Sequence, residues 1–126
     1  MLMGEFKQEL MKVNNRVNME VFSQGLKNQK VEVVNDKVLI IAHNNRVKVL
    51  SVVDRTDMVT TRMMDLALIK EFKDRFVVAF EEHFGVGVLT HMKDYDPKLE
   101  ISISVTVLEA PLEDLLPLMQ KRMNVE

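Results

Sequence analysis

The stretch from Asp57 to Phe84 contains no glycine or proline, and it constrains the fold more than any other part of this chain. Its apolar residues recur at steps of three and four, so they fall on one face of an α-helix. Gly85 follows directly and suits the left-handed conformation that ends many helices. At a rise of about 1.5 Å per residue the helix is roughly 40 Å long, enough to lie across a sheet. The residues of its predicted apolar face are Leu66, Ile69, Phe72, Phe76, Ala79, Phe80 and Phe84.

The start of this helix carries apolar side chains outside that face, among them Val59. Methionine is unbranched and flexible, so methionines here are suited to filling irregular gaps in a core. They are equally suited to packing against a second copy of the chain. Both interpretations stay open, and the candidate interface residues at this end are Met58, Met63 and Met64.

An earlier helical pattern runs from Met3 to about Gln24, and Gly25 is the predicted end of that helix. Its apolar stripe suits docking on a sheet, with charged residues mostly on the other side. The stripe consists of Met3, Phe6, Leu10, Val13, Val17 and Val21.

Two short segments rich in valine and isoleucine follow, Lys30 to Val34 and Lys37 to His43. Asn35-Asp36 separates them, and both residues tolerate the left-handed conformation of a tight turn, so the pattern predicts a β-hairpin. The next segment, Arg46 to Val53, is interpreted as a further strand or as a connector to the long helix.

A second hairpin is predicted from Val86 to Lys93 and from Lys98 to Leu108, with the turn between them. Its last strand alternates, so Ser102, Ser104 and Thr106 face one way and the apolar residues the other. We expect the apolar side to be the buried one. That side carries Leu99, Ile101, Ile103, Val105 and Val107.

Helix and hairpin thus occur twice in succession, which predicts repeated topology in one α+β domain spanning residues 1–109. The simplest arrangement has two layers, an antiparallel sheet with the two main helices on one face. Residues 110–126 form a leucine-rich tail with some helix, and Pro117 argues against one continuous helix there. The tail either folds back on its own domain or docks on a partner. Its candidate interface residues are Leu112, Leu115, Leu116 and Met119.

Composition excludes several classes of protein. The formal net charge of −2 and pI near 5.9 lack the basic excess of a nucleic-acid binder. The absence of cysteine excludes disulfides and thiolate chemistry and is compatible with a reducing cytoplasm. No apolar run approaches the roughly 20 residues that cross a bilayer, so we expect a soluble, cytoplasmic protein without direct membrane insertion.

The histidines and the aspartates of the second turn are the candidate chemical groups. His91, Asp94 and Asp96, with His83 nearby, form a possible ligand cleft, and imidazole with carboxylates can bind a divalent metal. Asp94 and Asp96 beside Pro97 are equally ordinary turn residues. Neither the exposed helix carboxylates nor the strand serines have the neighbours that catalysis needs. We therefore expect no enzyme activity and no cofactor.

One junction of the chain reads Phe76-Val77-Val78-Ala79-Phe80-Glu81-Glu82-His83-Phe84-Gly85-Val86-Gly87-Val88, and it is followed by the aspartate-containing turn and a strand that ends Val107-Leu108-Glu109. This junction and the order of elements resemble the MpsC-like family, small bacterial proteins named after a sodium-translocating membrane-potential-generating system. The resemblance spans about Glu5 to Glu109. It implies an accessory role beside a membrane transport system, with a possible membrane-protein partner, and carries over no catalytic residues.

Three hypotheses for function follow. The first is a non-enzymatic protein-interaction or accessory module that self-associates, as a homodimer, through the methionine-rich helix start and the leucine-rich tail. The second is a small-molecule-binding regulatory domain with a cleft near His83, His91 and Asp94. The third is a small metal-assisted enzyme, which requires the same side chains to converge on one face of the sheet.

Overall fold

The structure is a computed structural model that describes the backbone of residues 1–125 and the side chains of residues 1–119. Its four strands form one antiparallel sheet in the order β1-β2-β4-β3, and the α+β fold agrees with the prediction. The elements are α1 (Met3–Phe22), β1 (Lys27–Val34), β2 (Lys37–His43), α2 (Lys48–Thr56), α3 (Met58–Phe84), β3 (Val88–Asp96), β4 (Ile101–Leu108) and α4 (Leu112–Val125).

The ends of α3 lie where local sequence places them. The Asp57 carboxylate accepts hydrogen bonds from the backbone N–H of Thr60, at 3.1 Å, and from its hydroxyl, so it caps the first turn. At the other end Gly85 has φ 72°, and its N–H donates to the carbonyl of Glu81. The predicted long helix is therefore confirmed.

The core lies between the helices and one side of the sheet. All the buried apolar residues of α3 lie in its second half, from Phe72 to Phe84. Phe80 is central, because its ring lies 4.7 Å from that of Phe84 and 6.2 Å from that of Phe6 on α1. Leu66 is 70% exposed, so the predicted apolar face extends beyond the part of the helix that the core covers.

The sheet has the repeated topology that the sequence predicts. The first hairpin turns at Asn35, which has φ 58°, and β2 then pairs with β4 at the centre of the sheet. Each half of the chain contributes a helix and a hairpin, and the two hairpins meet along their second strands. The sheet therefore has β1 and β3 as its two edges.

The prediction for the faces of β4 was wrong. Ser102, Ser104 and Thr106 are buried on the helix side, whereas Ile101 and Ile103 are 38% and 47% exposed. The buried hydroxyls have partners there: Ser102 Oγ donates to Asn44 Oδ1 at 2.9 Å, and Thr106 Oγ1 lies 2.8 Å from His91 Nδ1. A polar group can be buried when it is hydrogen-bonded. The alternation of β4 was thus predicted correctly and its direction was not.

The interpretation of Arg46 to Val53 as a strand was also wrong, because most of this segment belongs to α2. The helix brings Asp54 to the Arg46 guanidinium, with Nη2–Oδ1 at 2.8 Å, and Asp65 of α3 lies 2.7 Å from Nη1. The hydrogen bonds from Arg46 hold the pKa of Asp54 below its ordinary value. The Arg46 side chain is only 9% exposed, so this ion-pair cluster joins α2 to the first half of α3.

The tail folds back on its own domain. Leu112, Leu115, Leu116 and Met119 are at most 9% exposed and belong to the same core cluster as Phe80. The expectation that these four residues form an interface was therefore wrong. Pro117 lies inside α4, contrary to the prediction. Proline removes one backbone donor, but the apolar side of α4 packs against the core and keeps the segment helical.

None of the helices in the described part of the chain has an apolar stretch long enough to cross a membrane.

Candidate functional site

The four residues of the predicted ligand cleft do not converge. His91 faces the helices, whereas Asp94 and Asp96 lie on the other face of β3, because they are an odd number of residues from His91. His83 lies against α1, with its Nε2 3.4 Å from Glu9 Oε2. Among the described residues no group of three or more His, Asp or Glu side chains could hold a metal. The geometric condition for the metal-assisted hypothesis is not met.

His91 has a structural environment. Its ring stacks on Phe76 at a centroid distance of 4.1 Å, and its Nδ1 lies within hydrogen-bond distance of the Thr106 hydroxyl. Burial lowers the pKa of His91 to about 3, and the positive charges of Lys93 and Lys73 add to this effect. The imidazole is therefore neutral in the folded protein at ordinary pH.

This environment makes stability depend on pH. Unfolding restores the ordinary histidine pKa of 6.5, so below that pH the unfolded chain binds a proton that the folded protein does not. From about pH 6 to about pH 5 we expect His91 to remove about 1.4 kcal/mol of unfolding free energy per pH unit. Urea unfolding across this range, compared with His91→Phe, measures the contribution. The variant loses the Thr106 partner and is less stable, but its pH slope should be shallower; parallel slopes would contradict the assignment.

Among the described residues a small cavity on the helix side of the sheet is large enough for about one water molecule. It has a volume of about 20 Å³ and lies between Arg46, Tyr95 and Lys93. Lys93 extends over the face of Phe72, with Nζ 3.4 Å from the ring centroid, and burial lowers its pKa to about 7. Ligand pockets are typically about 300–1,000 Å³, so this cavity does not form a small-molecule site.

A wider groove of about 1,100 Å³ lies between the first half of α3 and the β3–β4 hairpin. Asp94 and Asp96 line it, so two of the four predicted cleft residues border a real depression. The two histidines are not part of its lining. Its apolar lining residues are Met58, Leu66, Ile69, Leu99, Ile101 and Ile103.

The methionines at the start of α3 are largely exposed. Met58 is 50% and Met63 is 66% exposed, and Met64 is half-buried. The interpretation that these residues fill gaps in the core is therefore wrong for Met58 and Met63. Their role as an interface stays a prediction.

The sheet has a second face, which we call the open face, on the side opposite the core, and one end of it borders the groove beside α3. Residues paired across neighbouring strands project to the same side, so the strand register defines four rows across it. The central strands contribute mostly aliphatic side chains, whereas the two edges carry charges. In order from β1 to β3 the rows are Lys27, His43, Ile101, Asp96; Lys30, Ile41, Ile103, Asp94; Glu32, Leu39, Val105, Met92; and Val34, Lys37, Val107, Thr90.

The apolar centre of the open face lacks cover from the helices that form the core. Ile103 is 47% and Met92 is 55% exposed, while Leu39, Ile41 and Val105 are half-buried between their neighbours. The buried apolar residues of α1, α3 and α4 belong to the cluster that includes Ile40 and Leu108, which project from the opposite side of the sheet. A sequence signal for this face existed in β2, which reads as a continuous apolar run from Val38 to Ala42. Such runs are typical of strands covered on both sides.

Comparisons of the chain with protein-family models, with curated proteins and with solved structures found no match. The resemblance to the MpsC-like family therefore stays a prediction.

Proposed function

We propose that this protein is a non-enzymatic protein-interaction module that self-associates through the open face of its sheet. The observation that carries the proposal is the aliphatic centre of that face, formed by β2 and β4 and left exposed by the helices. Contiguous exposed apolar surface of this kind is typical of binding surfaces. The continuous apolar run of β2 supports the same conclusion, because it is typical of a strand with cover on both faces.

The cellular context belongs to this proposal as well. We also propose a cytoplasmic location, with which the absence of cysteine is compatible. The resemblance to the MpsC-like family adds an accessory role beside a membrane transport system, with a membrane-protein partner.

A small-molecule-binding regulatory domain is the second candidate, and the groove beside α3 favours it. The volume of about 1,100 Å³ is ample for a small ligand, and Asp94 and Asp96 supply polar groups on one wall. The groove borders the open face at Ile101 and Ile103, so occupation of one affects access to the other.

Replacing Ile103 with aspartate tests the interaction surface. In a face-to-face dimer both copies bury this residue, so each would bury a carboxylate against aliphatic side chains. We expect the dimer dissociation constant to rise by about 100-fold or more, as measured by sedimentation equilibrium. Asp94 lies directly opposite Ile103 in the strand register, so the new carboxylate should also lower the unfolding free energy of the protomer by about 1–2 kcal/mol. Circular dichroism of the variant checks that it is folded while its dissociation constant is measured.

Val59→Asp is the matched control, since Val59 is 70% exposed in the first turn of α3 and does not line the groove that borders the open face. It should leave the dissociation constant unchanged. The opposite pattern, with Val59→Asp monomeric and Ile103→Asp dimeric, would place the interface at the start of α3 and contradict the assignment to the open face.

A further inference from the structure

The charges of the open face are separated between its two edges. The β1 edge carries Lys27 and Lys30, and Glu32 lies beside Lys30 at 3.1 Å. The β3 edge carries Asp94 and Asp96 with no positive charge among the open-face residues of that strand. Lys30 and Asp94 lie at opposite ends of a single row, with Ile41 and Ile103 between them.

Two identical sheets whose strands are aligned can stack face to face in a closed pair in two ways. A two-fold axis parallel to the strands sets the β1 edge against the β3 edge of the partner, and it allows no slip along the strands. Each row then faces the same row of the other copy, read in reverse. A two-fold axis that runs across the strands, in the plane between the sheets, instead sets each edge against the same edge of the other copy.

Building on the proposed function, we propose that the partner is a second copy of this chain, stacked with its two-fold axis parallel to the strands. This arrangement places Lys30 opposite Asp94 of the partner subunit, twice by symmetry. It also places Ile41 opposite the partner's Ile103 in the same row. Two stacked sheets with one helical layer on each outer side then form a four-layer dimer.

Charge complementarity selects this arrangement over the other. With the axis across the strands, Lys30 can face Glu32 of the partner subunit, but the acidic edge faces the β3 edge of the partner subunit, whose open-face residues include no cation. Asp94 would then lose part of its hydration without gaining an opposite charge from the open face of the partner subunit, which is unfavourable. The negative charges of the two acidic edges also repel each other, which disfavours the arrangement with the axis across the strands further.

Sheet twist does not move Lys30 out of reach of Asp94 of the partner subunit. Aligned sheets pack at about 30° to each other, which shifts a residue about 7 Å from the axis by roughly 4 Å. The flexible lysine stem spans such an offset.

The size of the face sets the expected affinity. Four strands at about 4.8 Å spacing and seven residues at about 3.4 Å rise give roughly 450 Å² in projection. Standard interfaces bury about 800 Å² per partner, so the dimer should be of moderate affinity. In a dimer of moderate affinity, the charges at the two edges of the open face decide how the two sheets are aligned.

Charge exchange tests the geometry through the dimer dissociation constant, measured by sedimentation equilibrium at low salt. Lys30→Asp and Asp94→Lys should each weaken the dimer about 10- to 30-fold, because each converts two attractions into repulsions. The double variant Lys30→Asp/Asp94→Lys should return to within about 3-fold of the unchanged protein. The residues changed in these variants and in the one described next are all exposed, so the variants should fold. They are Lys30, Glu32 and Asp94.

Lys30→Glu/Glu32→Lys is the discriminating variant, because its exchange restores pairs only when the axis runs across the strands. Recovery by this variant, with none by Lys30→Asp/Asp94→Lys, would overturn the proposed axis. If Ile103→Asp still abolishes the dimer in that case, the open face remains the interface and only its geometry is wrong. If the unchanged protein forms no dimer, the proposed self-association itself is wrong.

Discussion

Deleting residues 110–126 is expected to unfold the protein at room temperature rather than to release a folded monomer. Burying one aliphatic side chain contributes about 1.5–3 kcal/mol, and four such side chains of α4 lie in the core. Their loss amounts to roughly 6–12 kcal/mol, which is comparable with the whole stability of a small domain. Circular dichroism of the truncated chain measures its folded fraction. The deleted core residues are Leu112, Leu115, Leu116 and Met119.

Two substitutions in α4 provide the control for this deletion. Leu116 is 8% exposed and Leu118 is 55% exposed, although they lie two residues apart. Leu116→Ala should lower the unfolding free energy by about 2–4 kcal/mol, and Leu118→Ala by less than about 0.5 kcal/mol. A truncated chain that unfolds cooperatively near the midpoint of the full chain would show that the tail is dispensable.

Phe80→Ala is expected to lower the unfolding free energy by about 3–5 kcal/mol. The side chain is fully buried, and its ring contacts those of Phe6, Phe76 and Phe84. Its removal leaves a cavity between α1 and α3 that neighbouring rings can fill only in part. Urea unfolding monitored by circular dichroism measures the change.

Val78→Ala on the same helix is the matched control, because Val78 is 55% exposed. It should change the unfolding free energy by less than about 0.5 kcal/mol. Similar losses for the two variants would mean that the aromatic cluster does not hold α1 against α3.

Local features of the sequence were sufficient for the main elements. An aspartate cap and a glycine end determine α3, and the turn at Asn35-Asp36 determines the first hairpin. These signals act within a few residues of where they occur, so they can be recognised without the rest of the fold. The two-layer arrangement followed from the periodicity of the helices and strands.

The features that sequence reasoning missed depend on residues far apart in the chain. Ser102 is buried because Asn44 reaches it, and its partner is 58 positions away. The helical state of α2 is tied to Arg46, which pairs with carboxylates on two helices. Valine-rich segments are ambiguous between strand and helix when tertiary contacts decide.

The open face was not recognised from the sequence for the same reason. The apolar residues of β4 were assigned to the core, so the open face was expected to be polar. His91 and Asp94 are close in sequence, but the strand projects them to opposite sides. Of the predicted interface residues, Met58 and Met63 remain exposed candidates, whereas those of the tail belong to the core.

Sedimentation equilibrium of the full chain tests self-association through the open face most directly. From about 1 to about 300 μM, at moderate salt, we expect the weight-average mass to rise from 14.6 kDa towards twice that value. The rise should be absent in Ile103→Asp. A mass of 14.6 kDa at every concentration of the unchanged protein would contradict the proposed self-association.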